Sequence, residues 1–178
     1  EEATLPSGKD GKAEIEVKGA TQTAIMAALA APGKNTAESV PFSLAVQVLG
    51  GGADSRLNKV LREEKGWSYG ISAYADGDKN RSNSLLYVST TVQADHTSDS
   101  FAAIRRIIGE MATKPISEEE FRSAQRTAKA DFLSAFDSAP QAAMIVGYLS
   151  AKGYDLKDVR KLLTDIDAAT LEDVRRQA

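Results

Sequence analysis

The stretch from Leu49 to Gly70, LGGGADSRLNKVLREEKGWSYG, constrains the course of this chain more than any other. Three glycines, Gly50 to Gly52, follow an apolar run with helical spacing: Phe42, Ala45, Val46 and Leu49. Glycine just past such a run ends a helix by taking the left-handed conformation without steric penalty, and it also lets neighbouring chain pack closely. Asp54 or Ser55 is then placed to cap a second helix by accepting its free N–H groups. Leu57, Val60 and Leu61 recur at helical spacing and give that helix a narrow buried face. Gly66 stops it, and Trp67 to Ala75 alternates as a strand. Arg62 thus falls on the last turn of a helix and Tyr69 near the start of a strand. A sharp turn at Gly66 would bring both to one surface.

The flanking chain supplies strands first and helices later. Residues 1–12 are polar and rich in Pro and Gly and read as a linker, which leaves 13–178 as a single domain. Residues 13–18 alternate around Ile15 and Val17 and suit a strand wet on one face. Residues 22–31 read as a buried strand, and 36–49 as the helix before the glycines, with Pro41 in its first turns. After a hairpin loop at 76–83, residues 84–92 form the next strand, with Leu86, Val88, Thr90 and Val92 on one face. Phe101, Ile104, Ile107, Ile108 and Met111 stripe an amphipathic helix that opens at 95–99 and breaks at Pro115. Ser117 with Glu120 is a capping box opening a helix to about Ala135. Pro140 starts another, through Ala143, Val146, Tyr148 and Leu149, which stops at Gly153. A shorter helix follows over 158–166, and Thr170 with Asp173 caps a last one. This order predicts an α+β fold, an antiparallel sheet packed against helices, and not alternating β/α units.

Composition excludes several classes. The net charge of -3, from 22 basic and 25 acidic residues intermixed along the chain, argues against nucleic acid or an anionic membrane surface as the main partner. There is no cysteine, hence no disulfide and no thiolate nucleophile or metal ligand. The longest apolar run, 24–32, falls well short of the ~20 residues a membrane helix needs. The chain opens on Glu1 with neither Met nor a signal peptide, which points to a fragment or a processed product.

Most routes to chemistry close on inspection. A zinc site needs three or four converging ligands, whereas the chain has one His, His96, at a helix start where a capping or loop role suits it. The H-x-x-E-H helix is missing. The triple glycine lacks the Lys-Ser/Thr of a phosphate loop, and Asp54 would sit where phosphate should. One His and no G-x-S-x-G elbow leave no serine-hydrolase triad. Glu63 and Glu64, and Glu118 to Glu120, are neighbours on helices and spread around solvated faces. Arg62 and Tyr69 remain, and on local pattern alone they read as an exposed helix Arg and a half-buried strand Tyr.

The same stretch resembles the C-terminal domain of the pitrilysin/insulinase-type zinc metallopeptidases, the inverted-motif zincins. The matching residues are Gly50 to Gly52, Ser55-Arg56-Leu57, Leu61-Arg62, and Gly66 with Tyr69, and the likeness is specific over about 40–95. It implies a processing-peptidase-like two-layer sandwich whose closing strand would follow the last helix, so the chain looks truncated there. It implies that Arg62 and Tyr69, seven residues apart, act catalytically in trans, reaching a zinc held by an H-x-x-E-H domain or subunit. Their part would be to grip peptide substrate and stabilise charge on the scissile carbonyl oxygen. It adds Gly51 and Gly52 to the substrate-binding set, makes Arg56 structural, and implies no metal in this chain. The chain alone would be inactive, and a bacterial periplasmic or secreted setting is expected. The alternatives are a non-catalytic scaffold and a peptide-binding subunit of the same fold.

Overall fold

The computed structural model describes residues 11–178 except 16, 35, 78 and 80–82, and not the side chain of Asn83. The expected linker lies outside the described residues apart from Gly11 and Lys12. Most of the 76–83 loop lies outside them too.

Three strands form one antiparallel sheet: β1 (Gln22–Pro32), β2 (Ser68–Asp76) and β3 (Asn83–Gln93), in the order β1-β3-β2. The helices are α1 (Ser39–Val46), which runs on through a wider turn at Gln47–Gly51, and α2 (Arg56–Asn58), prolonged likewise over Lys59–Glu64. After a single 3-10 turn, Ala94–His96, come α3 (Thr97–Met111), α4 (Glu118–Ser134), α5 (Ala139–Ala151), α6 (Leu156–Ala168) and α7 (Leu171–Gln177). The α+β sandwich expected from the pattern is what forms.

Period-two alternation on β3 turns Ser84, Leu86, Val88, Thr90 and Val92 inward, where all are buried. They meet Leu44 of α1, Leu57 and Leu61 of the α2 segment, and Ile104 and Ile107 of α3 in one core that Ile116 and Val174 extend. Both expected capping boxes are present, at Ser117/Glu120 and Thr170/Asp173, and a third opens α6 at Asp155/Asp158. No helix among the described residues is long and apolar enough to cross a membrane.

Four local expectations are corrected. Residues 13–18 form no strand: Ile15 is 91% exposed, Val17 is 67% exposed, and Lys12 stands over the Phe101 ring of α3. Alternation alone does not hold a strand whose main-chain groups and apolar side chains find no partner. The glycines at the end of α1 are not left-handed, since the positive-φ glycines are Gly19, Gly66 and Gly153. Space is what requires Gly50. A Cβ there would lie 2.7 Å from the Ala73 Cβ and 3.0 Å from the Ala73 amide nitrogen. Ser55 holds the position before α2, but its hydroxyl accepts from the Asn58 amide and caps no backbone N–H. The apolar run of α5 buries no residue; Met144 and Tyr148 stand largely in solvent.

Candidate functional site

Arg62 and Tyr69 flank the turn at Gly66, which the fold makes rigid. Gly66 takes φ +65, its N–H bonds the Arg62 carbonyl at 3.2 Å, and the Trp67 N–H reaches back to the Leu61 carbonyl at 2.9 Å. Leu61, fully buried, anchors the helical side of the turn. Arg62 next to it is exposed and makes no hydrogen bond or ion pair with another described residue.

On the strand side a β-bulge sets Tyr69. Ser68 pairs with Val92 and Ile71 with Thr90, so Tyr69 and Gly70 together oppose Thr91. Unbroken alternation would put Tyr69 on the buried face with Ile71 and Ala73. The bulge buries Ser68 instead and leaves Tyr69 91% exposed. A knot of hydroxyls fixes it. Ser68 Oγ accepts from the Gly70 N–H at 3.1 Å and lies 2.7 Å from Thr90 Oγ1, with the Gly70 and Thr91 carbonyls at 2.8 and 3.0 Å.

Behind this surface, Asn58 ties the helix to the strand. Its buried carboxamide donates to the carbonyls of Ile71 (2.8 Å) and Gly52 (3.0 Å) and to Ser55 Oγ (3.1 Å), and it accepts from the Ile71 N–H. Arg56 does the same toward α4. It forks onto the Glu120 carboxylate at 2.7 and 3.0 Å and donates to the Lys114 and Pro115 carbonyls. The hydrogen bond from Arg56 holds the Glu120 carboxyl down at about 2. His96 stacks on Trp67 with ring centroids 5.1 Å apart.

Gly51 and Gly52 are engaged from within: the Gly51 carbonyl accepts from Gln47 Nε2 at 3.2 Å and the Gly52 carbonyl from Asn58. Gly52 also borders an open cavity of about 590 Å³ between the glycine turn and α4, shared with Gln47, Ser55, Lys59, Glu119 and Arg126. Neither Arg62 nor Tyr69 lines it, so the structure separates the two pairs of expected site residues. Sequence reasoning missed Asn58 and Ser68. The one available signal was a polar residue directly beside each buried position of the Leu57 and Ile71 patterns. Among the described residues no three His, Asp or Glu side chains converge to hold a metal ion, so zinc does not fit this chain.

The sequence profile of a family described as the peptidase M16 inactive domain matches residues 1–128. No curated protein matches the chain. Among solved structures, a peptidase M16 inactive domain from Pseudomonas fluorescens aligns with 88% of this chain and 37% of its own, at 23% identity and a TM-score of 0.70. A candidate zinc protease from Bordetella pertussis Tohama I aligns over 90% and 88%, at 18% identity and a TM-score of 0.71. The periplasmic protease PqqL from Escherichia coli aligns over 90% of this chain and 18% of its own, at 14% identity and a TM-score of 0.67. At these identities the likeness is one of fold. The chain spans little more than a third of the Pseudomonas protein and less than a fifth of PqqL.

Proposed function

The chain belongs to the peptidase M16 family as its inactive domain, and from that premise we propose that it is the non-zinc half of a zinc metalloendopeptidase. Arg62 and Tyr69 serve a peptide held at a zinc site on another domain or subunit, one that carries H-x-x-E-H. The observation that carries this reading is the bulge at Tyr69. A folded chain has no packing reason to bury a serine and project a tyrosine into water, and here four polar contacts at Ser68 hold that arrangement. A phenol O–H held so can donate to an oxyanion as charge develops on it, and a guanidinium with no competing partner can fork onto a peptide carbonyl or carboxylate. Gly51 and Gly52 border the same substrate path through the cavity beside them. The PqqL likeness supports a periplasmic setting.

The test is turnover of an unstructured peptide by this chain mixed with, or fused to, its zinc-bearing partner. Tyr69→Phe removes one oxyanion donor and is expected to lower kcat about 10²-fold. Arg62→Ala is expected to raise KM and lower kcat, and the chain alone is expected to be inert. Full turnover by both variants would end the assignment.

A further inference from the structure

The outer edge of β1 is a row of open main-chain groups. Residues of β1 and β3 pair with position numbers summing to a constant, Gln22 with Gln93 through Pro32 with Asn83, and the Ala94 N–H bonds the Thr21 carbonyl. In an antiparallel ladder this fixes which residues face which way. The odd-numbered residues of β1 bond β3, and Gln22, Ala24, Met26, Ala28 and Ala30 turn their N–H and C=O groups outward. None of these groups bonds another described residue. The strand, QTAIMAALAAP, has no ionisable side chain over its 11 residues. Proteins usually blunt such an edge with Lys, Pro or a bulge, and this one has a single Pro, at its very end.

The same five residues carry their side chains on the sheet face away from the helices, where all are exposed. Four are Gln or Ala, and only Met26 stands clear, 68% exposed. That face continues across β3 and β2 to the stacked rings of Tyr74 and Tyr87, 5.4 Å apart, and along β2 to Tyr69.

We infer that the β1 edge takes an extended segment of the peptide substrate as an added strand, with large apolar side chains of the peptide lying over the alanines of the outer face. The inference rests on the reading of this domain as the substrate-gripping half. An alternating row of donors and acceptors is matched over its length only by another strand. Small residues on β1 leave room for large ones on the incoming strand, and the lack of charge favours uncharged side chains there. A second copy of the chain fits less well, because two alanine-rich edges bury little of the ~1,200–2,000 Å² that a stable dimer needs.

The probe is a fluorescein-labelled decapeptide of alternating Leu and Thr, titrated against the full chain by anisotropy. Ala28→Pro removes an outward N–H and no bond to β3, and is expected to weaken binding at least about tenfold with the fold intact. Ala27→Pro, whose N–H bonds β3, is the unfolding control. Met26→Glu leaves the backbone alone and is expected to weaken the neutral peptide and favour one with Lys in place of Leu. Unchanged binding in Ala28→Pro and Met26→Glu would overturn the inference. So would a dimer of the free chain that Ala28→Pro dissociates, or amide protection of Gln22 and Ala24 by residues 13–17 that the peptide does not displace. Tyr69→Phe, expected to bind the probe as the parent does, separates the two readings. Lost binding with turnover kept in Ala28→Pro sinks the edge alone, and kept turnover in Tyr69→Phe sinks the catalytic reading alone.

Discussion

The carboxamide of Asn58 pairs with the main chain of Ile71 in both directions, donating to its carbonyl at 2.8 Å and accepting from its N–H at 3.2 Å. A side chain thereby takes the place of a neighbouring strand, and β2 has its edge closed by a helix at the point where the bulge ends. Asn58→Ala would leave both buried groups without a partner, along with the Gly52 carbonyl. We expect a loss of about 2–4 kcal/mol in urea unfolding. Asn58→Asp keeps the acceptor and loses the donors, and should fall in between.

Gly50 and Gly51 are predicted to differ although they are adjacent. A methyl group at Gly50 meets the backbone nitrogen and Cβ of Ala73 and Leu57 Cδ1 at 3.1 Å, all in the core. Gly50→Ala should cost about 1–3 kcal/mol as overpacking. At Gly51 the obstruction is the Gln47 carboxamide, the free end of a flexible side chain. It can swing away for the loss of its bond to the Gly51 carbonyl, so Gly51→Ala should cost about 1 kcal/mol or less. Thermal unfolding of both variants checks the order; equal losses would show that the glycines are needed for their backbone angles after all.

Arg56 and Glu120 predict a pH dependence. The hydrogen bond from Arg56 brings the Glu120 carboxyl from its ordinary 4.5 to about 2 in the folded chain. A depressed acid stabilises the fold fully above its unfolded value, and the contribution drains away as pH falls from about 4.5 toward about 2. Arg56→Ala should therefore be less stable than the parent near neutrality, by about 2 kcal/mol, and the difference should shrink steadily through that acid window. Exposed acids such as Glu110 and Asp173 also lie below their ordinary values, but they are common to both proteins and cancel in the comparison.

How far the sequence alone reaches depends on the range of the forces involved. The face of β3 carrying Leu86, Val88 and Val92 was legible because burial repeats with the strand's own period. The boxes at Ser117 and Thr170 were legible because both partners lie three residues apart. Arg62 and Tyr69 could be placed at a helix end and a strand start from Gly66 alone. Asn58 could not be read, since its partner Ile71 is thirteen residues away and nothing local marks it as buried. The bulge was invisible for a similar reason: it exists only in register with Thr90 and Thr91 of another strand. The glycines were placed correctly at a helix end for the wrong reason, because their neighbour Ala73 comes from a strand not yet formed at that point in the chain.

Ser68 offers the sharpest test of whether the bulge serves Tyr69. Its hydroxyl is the one group that both receives the Gly70 N–H and touches Thr90 on the partner strand. Ser68→Ala should cost only about 1–2 kcal/mol in stability, yet it frees Tyr69 to drift. A displacement of about 1 Å at a reacting group can cost 10²-fold in rate. With the zinc-bearing partner present, Ser68→Ala is expected to lower kcat much more than it raises KM, and Ser68→Thr, which keeps the hydroxyl, should recover most of the loss. The double variant Ser68→Ala/Tyr69→Phe should turn over no more slowly than Tyr69→Phe alone, because a phenol already missing cannot be misplaced. Additive losses would mean that Ser68 supports the sheet and not the tyrosine.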